Sequence, residues 1–172
     1  VAAIGRQSVA YLLRIAADDI EYSFGEAPGR AGFAAMWELD SPATSRLWRE
    51  LGAALRLGCA RDREGALWAP SMSMPAAGDE DGDPAATVVA VAHGAALRAA
   101  PSDASHAVAM LDWDVLSVGP DDDGESAWLA ASLADGRGGY VRRGAVRSRA
   151  DFRAVFEKRR GRWRMTAFVA GD

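Results

Sequence analysis

The chain has 172 residues, 49% apolar and 26% charged, which fits one globular domain or two small ones and excludes a disordered, collagenous or disulfide-framework chain. No apolar run approaches the ~18–20 residues that span a bilayer, and the single cysteine, Cys59, excludes an intrachain disulfide. The net charge of −4 argues against general nucleic-acid affinity, but it is unevenly spread: residues 75–135 carry 1 basic and 12 acidic side chains, and residues 136–172 carry 11 and 3.

The periodicity predicts a helix over 6–19, with Val9, Leu12, Leu13 and Ala16 on one face. Ile20, Tyr22 and Phe24 alternate with Glu21 and Ser23 and predict a short strand. After a Pro28-Gly29 turn, Phe33, Met36 and Trp37 share one face of a short helix closed by Asp40-Ser41-Pro42. Thr44 or Ser45 caps a helix running to about Leu57, with Leu47, Trp48, Leu51 and Leu55 in its stripe and Gly58 as its end cap. Residues 59–70 predict a strand or hairpin turning near Arg63-Glu64-Gly65. Residues 75–86, rich in Pro, Gly, Ala and acid, predict an acidic linker.

From Thr87 the period becomes two. Short strands are predicted at Val88–Val91, around Leu97, at Val108–Leu111, at Val115–Val118, at Trp128–Leu133 and at Tyr140-Val141, with polar turns at 119–124 and from Asp135-Gly136. The chain ends in a predicted hairpin turning at Arg160-Gly161. There Phe152, Ala154 and Phe156, then Trp163, Met165, Ala167 and Val169, form the apolar face, and Arg162, Arg164, Thr166 and Phe168 fall on the other. Phe156, Trp163, Met165 and Phe168 are too apolar to stand without a partner.

Residues 87–148 resemble a bacterial SH3-like domain. The resemblance is carried by His93-Gly94-Ala95-Ala96-Leu97-Arg98-Ala99-Ala100-Pro101, by Val115–Val118, by the Trp128 strand and by Asp135-Gly136-Arg137-Gly138-Gly139-Tyr140-Val141. It implies a small β-barrel with tight glycine turns, filled in part by Leu97 and Tyr140. The terminal segment FRAVFEKRRGRWRMTAFVAGD resembles the tail of some uncharacterised bacterial SH3-like envelope proteins. A weaker similarity links the flanking parts to the cystatin-like and nuclear-transport-factor cone fold. The expected architecture is therefore α+β: a helical α+β unit at 1–74, an acidic linker at 75–86, an SH3-like barrel at 87–148, and a hairpin at 149–172 that packs on the first unit.

The resemblance implies a non-enzymatic binding module that recognises a cell-wall peptide or glycan, or a protein partner, through Trp113, Trp128 and Tyr140 with the loop acids Asp112 and Asp114. It implies the cell envelope, periplasmic or secreted, although no signal segment is visible in this chain. Two rivals stand beside it: a scaffolding protein with no small ligand, and a small-molecule binder or enzyme using a cone pocket, with Asp18, Asp19 and Glu21 as inward carboxylates. Asp18 and Asp19 fall at a predicted helix end and read as turn residues.

No cofactor or metal is expected. Cys59, in the sequence Leu57-Gly58-Cys59-Ala60, reads as a small buried hydrophobe without a histidine base. His93 and His106 have no Cys or His partner at ligand spacing. Asp79–Asp83 misplaces the glycine of a calcium loop and reads as solvated linker, and Asp121–Asp123 reads as a hairpin tip. Gly136–Gly139 lacks a following Lys-Ser/Thr and reads as a turn, not a phosphate loop. The arginines 142, 143, 147, 149, 153, 159, 160, 162 and 164 form a basic stripe that reads first as a solvated face, second as a contact for an anionic surface or acidic partner; nucleic acid is not expected.

Overall fold

A computed structural model describes residues 6–25, 27–74, 86–119 and 126–171. In chain order the elements are α1 (Val9–Ile15), β1 (Ala16–Glu21), α2 (Arg30–Met36), α3 (Leu47–Arg56), β2 (Ala60–Arg61), β3 (Leu67–Ala69), β4 (Thr87–Ala90), β5 (Ala96–Arg98), β6 (Ala107–Met110), β7 (Val115–Val118), β8 (Trp128–Ser132), β9 (Gly138–Arg142), β10 (Val146–Ser148), β11 (Arg153–Arg159) and β12 (Arg162–Val169). The class is α+β, with two sheets. The chain divides into two compact units, one joining the N-terminal residues to those from 150 onward, the other lying between them. The linker predicted at 75–86 and the acidic tip at 121–123 fall almost wholly outside the described residues. No helix among the described residues is long and apolar enough to cross a membrane.

The first unit is built on a five-stranded sheet in the order β1-β12-β11-β3-β2, with β1 parallel to β12 and the other pairs antiparallel. α1 is capped by Ser8, whose hydroxyl accepts from the Tyr11 N–H. It ends at Ile15, earlier than the periodicity predicts, because Ala16 already pairs with Met165. Asp18 and Asp19 consequently lie within a strand and not in a turn. Ile20 and Tyr22 are buried, but Phe24 is 53% exposed, since the strand has ended before it. In α2, Phe33 and Trp37 enter the core while Met36 does not. Gly32 is required there: a Cβ would sit 1.9 Å from the Tyr22 hydroxyl. Ser45 accepts from the Leu47 N–H and donates to the Trp37 carbonyl, which starts α3 and ties it to α2. Cys59 is exposed, contrary to its predicted burial, because it follows the left-handed Gly58 that ends α3 and precedes β2 outside the packed face.

The terminal hairpin carries one departure from strict alternation. Val155 pairs with Ala167 and Phe156 with Met165, so Thr166 is an extra residue in β12. Its hydroxyl bonds the Val155 carbonyl. Beyond this bulge the faces exchange. Met165 and Phe168, three residues apart, both join the helix-covered core, whereas Ala167 and Val169 turn to the other side of the sheet. Phe168 meets Trp37 and Phe152 with ring centroids 5.1 and 5.4 Å apart, and Trp37 meets Phe152 at 4.9 Å. Trp163 shares the ladder position opposite Lys158, stays 38% exposed and lies under the Arg61 guanidinium.

The second unit is a seven-stranded antiparallel sheet in the order β10-β4-β7-β8-β9-β5-β6. No pairing among the described residues joins β6 to β10, so the sheet is open and the expected closed barrel is not formed. It is nonetheless curled on itself: Val146 from one end of the order and Val108 and Ala109 from the other pack on one cluster of Val88, Leu97, Leu116, Leu129 and Val141. Leu97 fills this core as expected, but Tyr140 does not. Val141 takes the inward position, and alternation turns Tyr140 outward, opposite Ala130 and Arg98. Gly139 serves close approach and not turning, because a Cβ would come within 2.4 Å of the Arg98 carbonyl oxygen.

Replacing Phe168 by Ala is expected to destabilise the first unit by about 3–5 kcal/mol in urea unfolding, the range for removing a buried aromatic ring. Replacing the half-exposed Trp163 should cost clearly less.

Candidate functional site

Two surfaces carry groups that a ligand would use, one on each unit. On the second unit, β6 leads into β7 through Leu111–Asp114. Leu111 is buried in the core, and its N–H donates to the Ala95 carbonyl. The Asp114 carbonyl accepts from the Ala90 N–H, so both ends of the turn are anchored to the sheet. Between them the Asp114 carboxylate accepts from the Asp112 N–H at 2.8 Å. This closes the turn with Trp113 at φ +59°, a left-handed conformation that a bulky residue adopts only under strain. Trp113 is 53% exposed, and Met110 and Val115 on either side are 66% and 58% exposed. Three large apolar side chains thus stand out from one short turn.

Trp128 and Tyr140 lie elsewhere in the ladder. Trp128 faces Arg142, and Tyr140 faces Ala130 on the same outward side of β8 and β9. The Arg142 guanidinium covers the Trp128 ring at 4.7 Å and is itself paired with Asp103. Among the described residues no ring–ring contact links Trp128 or Tyr140 to Trp113. Asp112 and Asp114 do flank Trp113, as their spacing predicts. His93 and His106 are exposed in loops. Gly136, at φ +86°, makes the tight turn from β8 to β9, with the Asp135 carboxylate accepting from the Arg137 N–H. Among the described residues no group of His, Cys, Asp and Glu could hold a metal ion.

On the first unit, the side of the five-stranded sheet away from the helices carries a groove of about 340 Å³. Val155, Ala167 and Val169 supply its apolar lining with Phe24 and Trp68, and Asp19, Glu21, Arg153, Glu157 and Arg159 supply its charges. The Asp19 carboxylate accepts from Arg159 at 2.5 Å and Glu157 accepts from the same guanidinium at 3.1 Å. Asp18 pairs instead with Arg30 at 2.9 Å, and the rest of that guanidinium bonds the Ala16 carbonyl. Asp19 and Glu21 therefore share the groove, while Asp18 is committed to α2. Sequence reasoning found the two carboxylates but missed Phe24, Trp68, Val155, Ala167 and Val169. The signal for the last two was hidden by the bulge at Thr166.

Trp68 is positioned by Asp62. One oxygen of this carboxylate accepts from the indole N–H at 2.7 Å, the other from the Ala66 N–H at 2.8 Å, which locks the β2–β3 hairpin. The indole bond, together with backbone donors of the turn, holds the Asp62 pKa below the usual carboxylate value despite an opposing desolvation effect.

The chain matches no family model, no curated protein and no solved structure.

The lowered Asp62 pKa fixes the sign of a pH effect. The Asp62 contribution to stability is complete above the unfolded carboxylate pKa of about 3.9 and is lost as pH falls through the lower folded value. Asp62→Asn should thus be less stable than the parent chain in urea near neutral pH, and the gap should shrink in acid. The urea midpoints of both chains, followed by intrinsic tryptophan fluorescence at several pH values, check this.

Proposed function

We propose that the protein is a non-enzymatic bacterial binding module of the cell envelope, whose SH3-like unit recognises a peptide-bearing cell-wall fragment through the turn at Met110–Val115. One observation carries this reading: a strained, half-exposed Trp113 held in place by bonds at both ends of its turn. Glycine or asparagine would cost less at this backbone position. An exposed tryptophan held there has a reason if the ring itself makes the contact.

The chemistry of the turn defines the ligand. Met110, Trp113 and Val115 supply apolar contact, and the adjoining Asp112 and Asp114 favour an amino group beside the apolar portion of the ligand. A short peptide with a free amine presents both. The SH3-like assignment is supported by the sequence of short strands, the curl of the sheet around one core, and the 3₁₀ turn at Arg143–Ala145 that leads into β10, the strand paired with β4. Trp128, covered by Arg142, and Tyr140 belong in this reading to a flanking strip and not to the anchor.

Two substitutions test it. The parent chain should be retained on insoluble bacterial peptidoglycan, and Trp113→Ala should abolish retention. Trp113→Gly should also fail to bind while gaining about 1 kcal/mol in unfolding free energy, because glycine accepts positive φ without steric cost. A parent chain that passes through peptidoglycan unretained would overturn the wall-fragment reading.

A further inference from the structure

The groove on the first unit does not end at its apolar lining. It adjoins a second depression of about 680 Å³ lined by Ala17, Asp18, Asp19, Arg159, Arg160, Arg162 and Arg164. The two share Asp19 and Arg159, so they form one continuous track. One end is lined by Phe24, Trp68, Val155, Ala167 and Val169 together with Glu21, Arg153 and Glu157, the other by Arg159, Arg160, Arg162 and Arg164 with Asp18 and Asp19.

The charge at the arginine end is in excess. Residues 158–164 contain five cations and no acid. Asp19 and Glu157 are both spent on Arg159, and Asp18 on Arg30. No carboxylate among the described residues forms an ion pair with Arg160, Arg162 or Arg164; Glu157 stands opposite Arg164 in the ladder but bonds Arg159, and Arg164 donates to the Arg14 carbonyl. Arg162 also stands directly opposite Arg159 in the hairpin ladder, a like-charge neighbour that the Asp19 and Glu157 carboxylates offset at Arg159. Guanidinium groups suit phosphate and carboxylate because their paired N–H donors match two oxygens at once.

We propose that this track binds one molecule of an amphiphilic anion, with its apolar body against Phe24, Trp68 and Val169 and its phosphate or carboxylate head among Arg160, Arg162 and Arg164. The ion pair of Arg159 with Asp19 marks the boundary between the two halves. An apolar cation would meet the uncompensated arginines, and a bare phosphate would leave the apolar half wet, so neither satisfies the whole track. The site lies on a different unit from the Trp113 turn and stands or falls independently of it.

The test uses the full chain and dodecyl phosphate below its micelle concentration, followed by titration calorimetry and tryptophan fluorescence. The expected result is saturable binding with one molecule per chain. Arg160→Gln with Arg162→Gln should weaken it roughly tenfold or more, as expected for losing two charge-assisted contacts. Phe24→Ser should weaken it from the apolar end. All three positions are exposed, so these variants should keep the parent melting curve, which is measured alongside. Equal affinity for dodecyltrimethylammonium would overturn the anionic half of the proposal, and equal affinity for inorganic phosphate would overturn the apolar half. Binding only to phosphatidylglycerol vesicles, with no binding of the monomeric amphiphile, would make the tip a membrane contact and overturn the groove.

Discussion

The first unit depends on where β12 sits. The last strand of the chain lies between β1, the first strand, and β11, its hairpin partner. Residues 6–74 alone offer only the small hairpin of the two-residue β2 and three-residue β3 and an isolated β1, which join into one sheet only through β11 and β12. The helices have the same dependence. Leu12, Phe33, Trp37, Leu47 and Leu51 are buried against Met165, Phe168 and Ala154, which arrive from the far end of the sequence. Such distant pairing costs chain entropy before any contact compensates it, so the aromatic cluster of Trp37, Phe152 and Phe168 is what the fold has to offset that cost.

The bulge at Thr166 turns this dependence into a surface with chemistry. Without the extra residue, β12 would continue the alternation that puts Met165 in the core, sending Ala167 and Val169 there and Phe168 outward. With it, the core gains an aromatic ring and the free face gains two small aliphatic groups beside Val155. Small side chains on that face leave room for the groove that lies over them. The Asp62–Trp68 bond then fixes one wall and the Arg159–Asp19 pair separates the apolar stretch from the basic hairpin tip.

The second unit solves a different problem. Its strands are three to five residues long and the sheet does not close, yet curling brings both ends of the order onto one core. Almost every inward position is aliphatic, so the aromatic residues are left to the outside. Trp128 is covered by Arg142, and Tyr140 is half-buried. Trp113 alone combines exposure with a conformation that the surrounding bonds must enforce. The bonds at both ends of the turn hold its side chain in one exposed orientation.

Much of this was legible in the sequence because it is local. The helix stripes around Phe33 and Leu47, the hairpin turning at Gly161, the short strands after Thr87 and the Asp112–Asp114 flanks of Trp113 follow from side-chain spacing within a few residues, and spacing determines which face a side chain takes as long as the period holds. What was not legible depends on partners far away in the chain. The early end of α1 needs Met165, the outward turn of Tyr140 needs Val141 to win the core, and the exposure of Cys59 needs β2 to lie off the packed face. The groove is the clearest case: one unpaired residue, Thr166, reverses every side chain after it, and no pattern within β12 announces that reversal. The sequence by itself determined the α+β class, the local elements and the charge of the hairpin tip. Only the tertiary structure decided which residues share a face, because that is set by strand register across more than a hundred intervening residues, as between Ala16 and Met165.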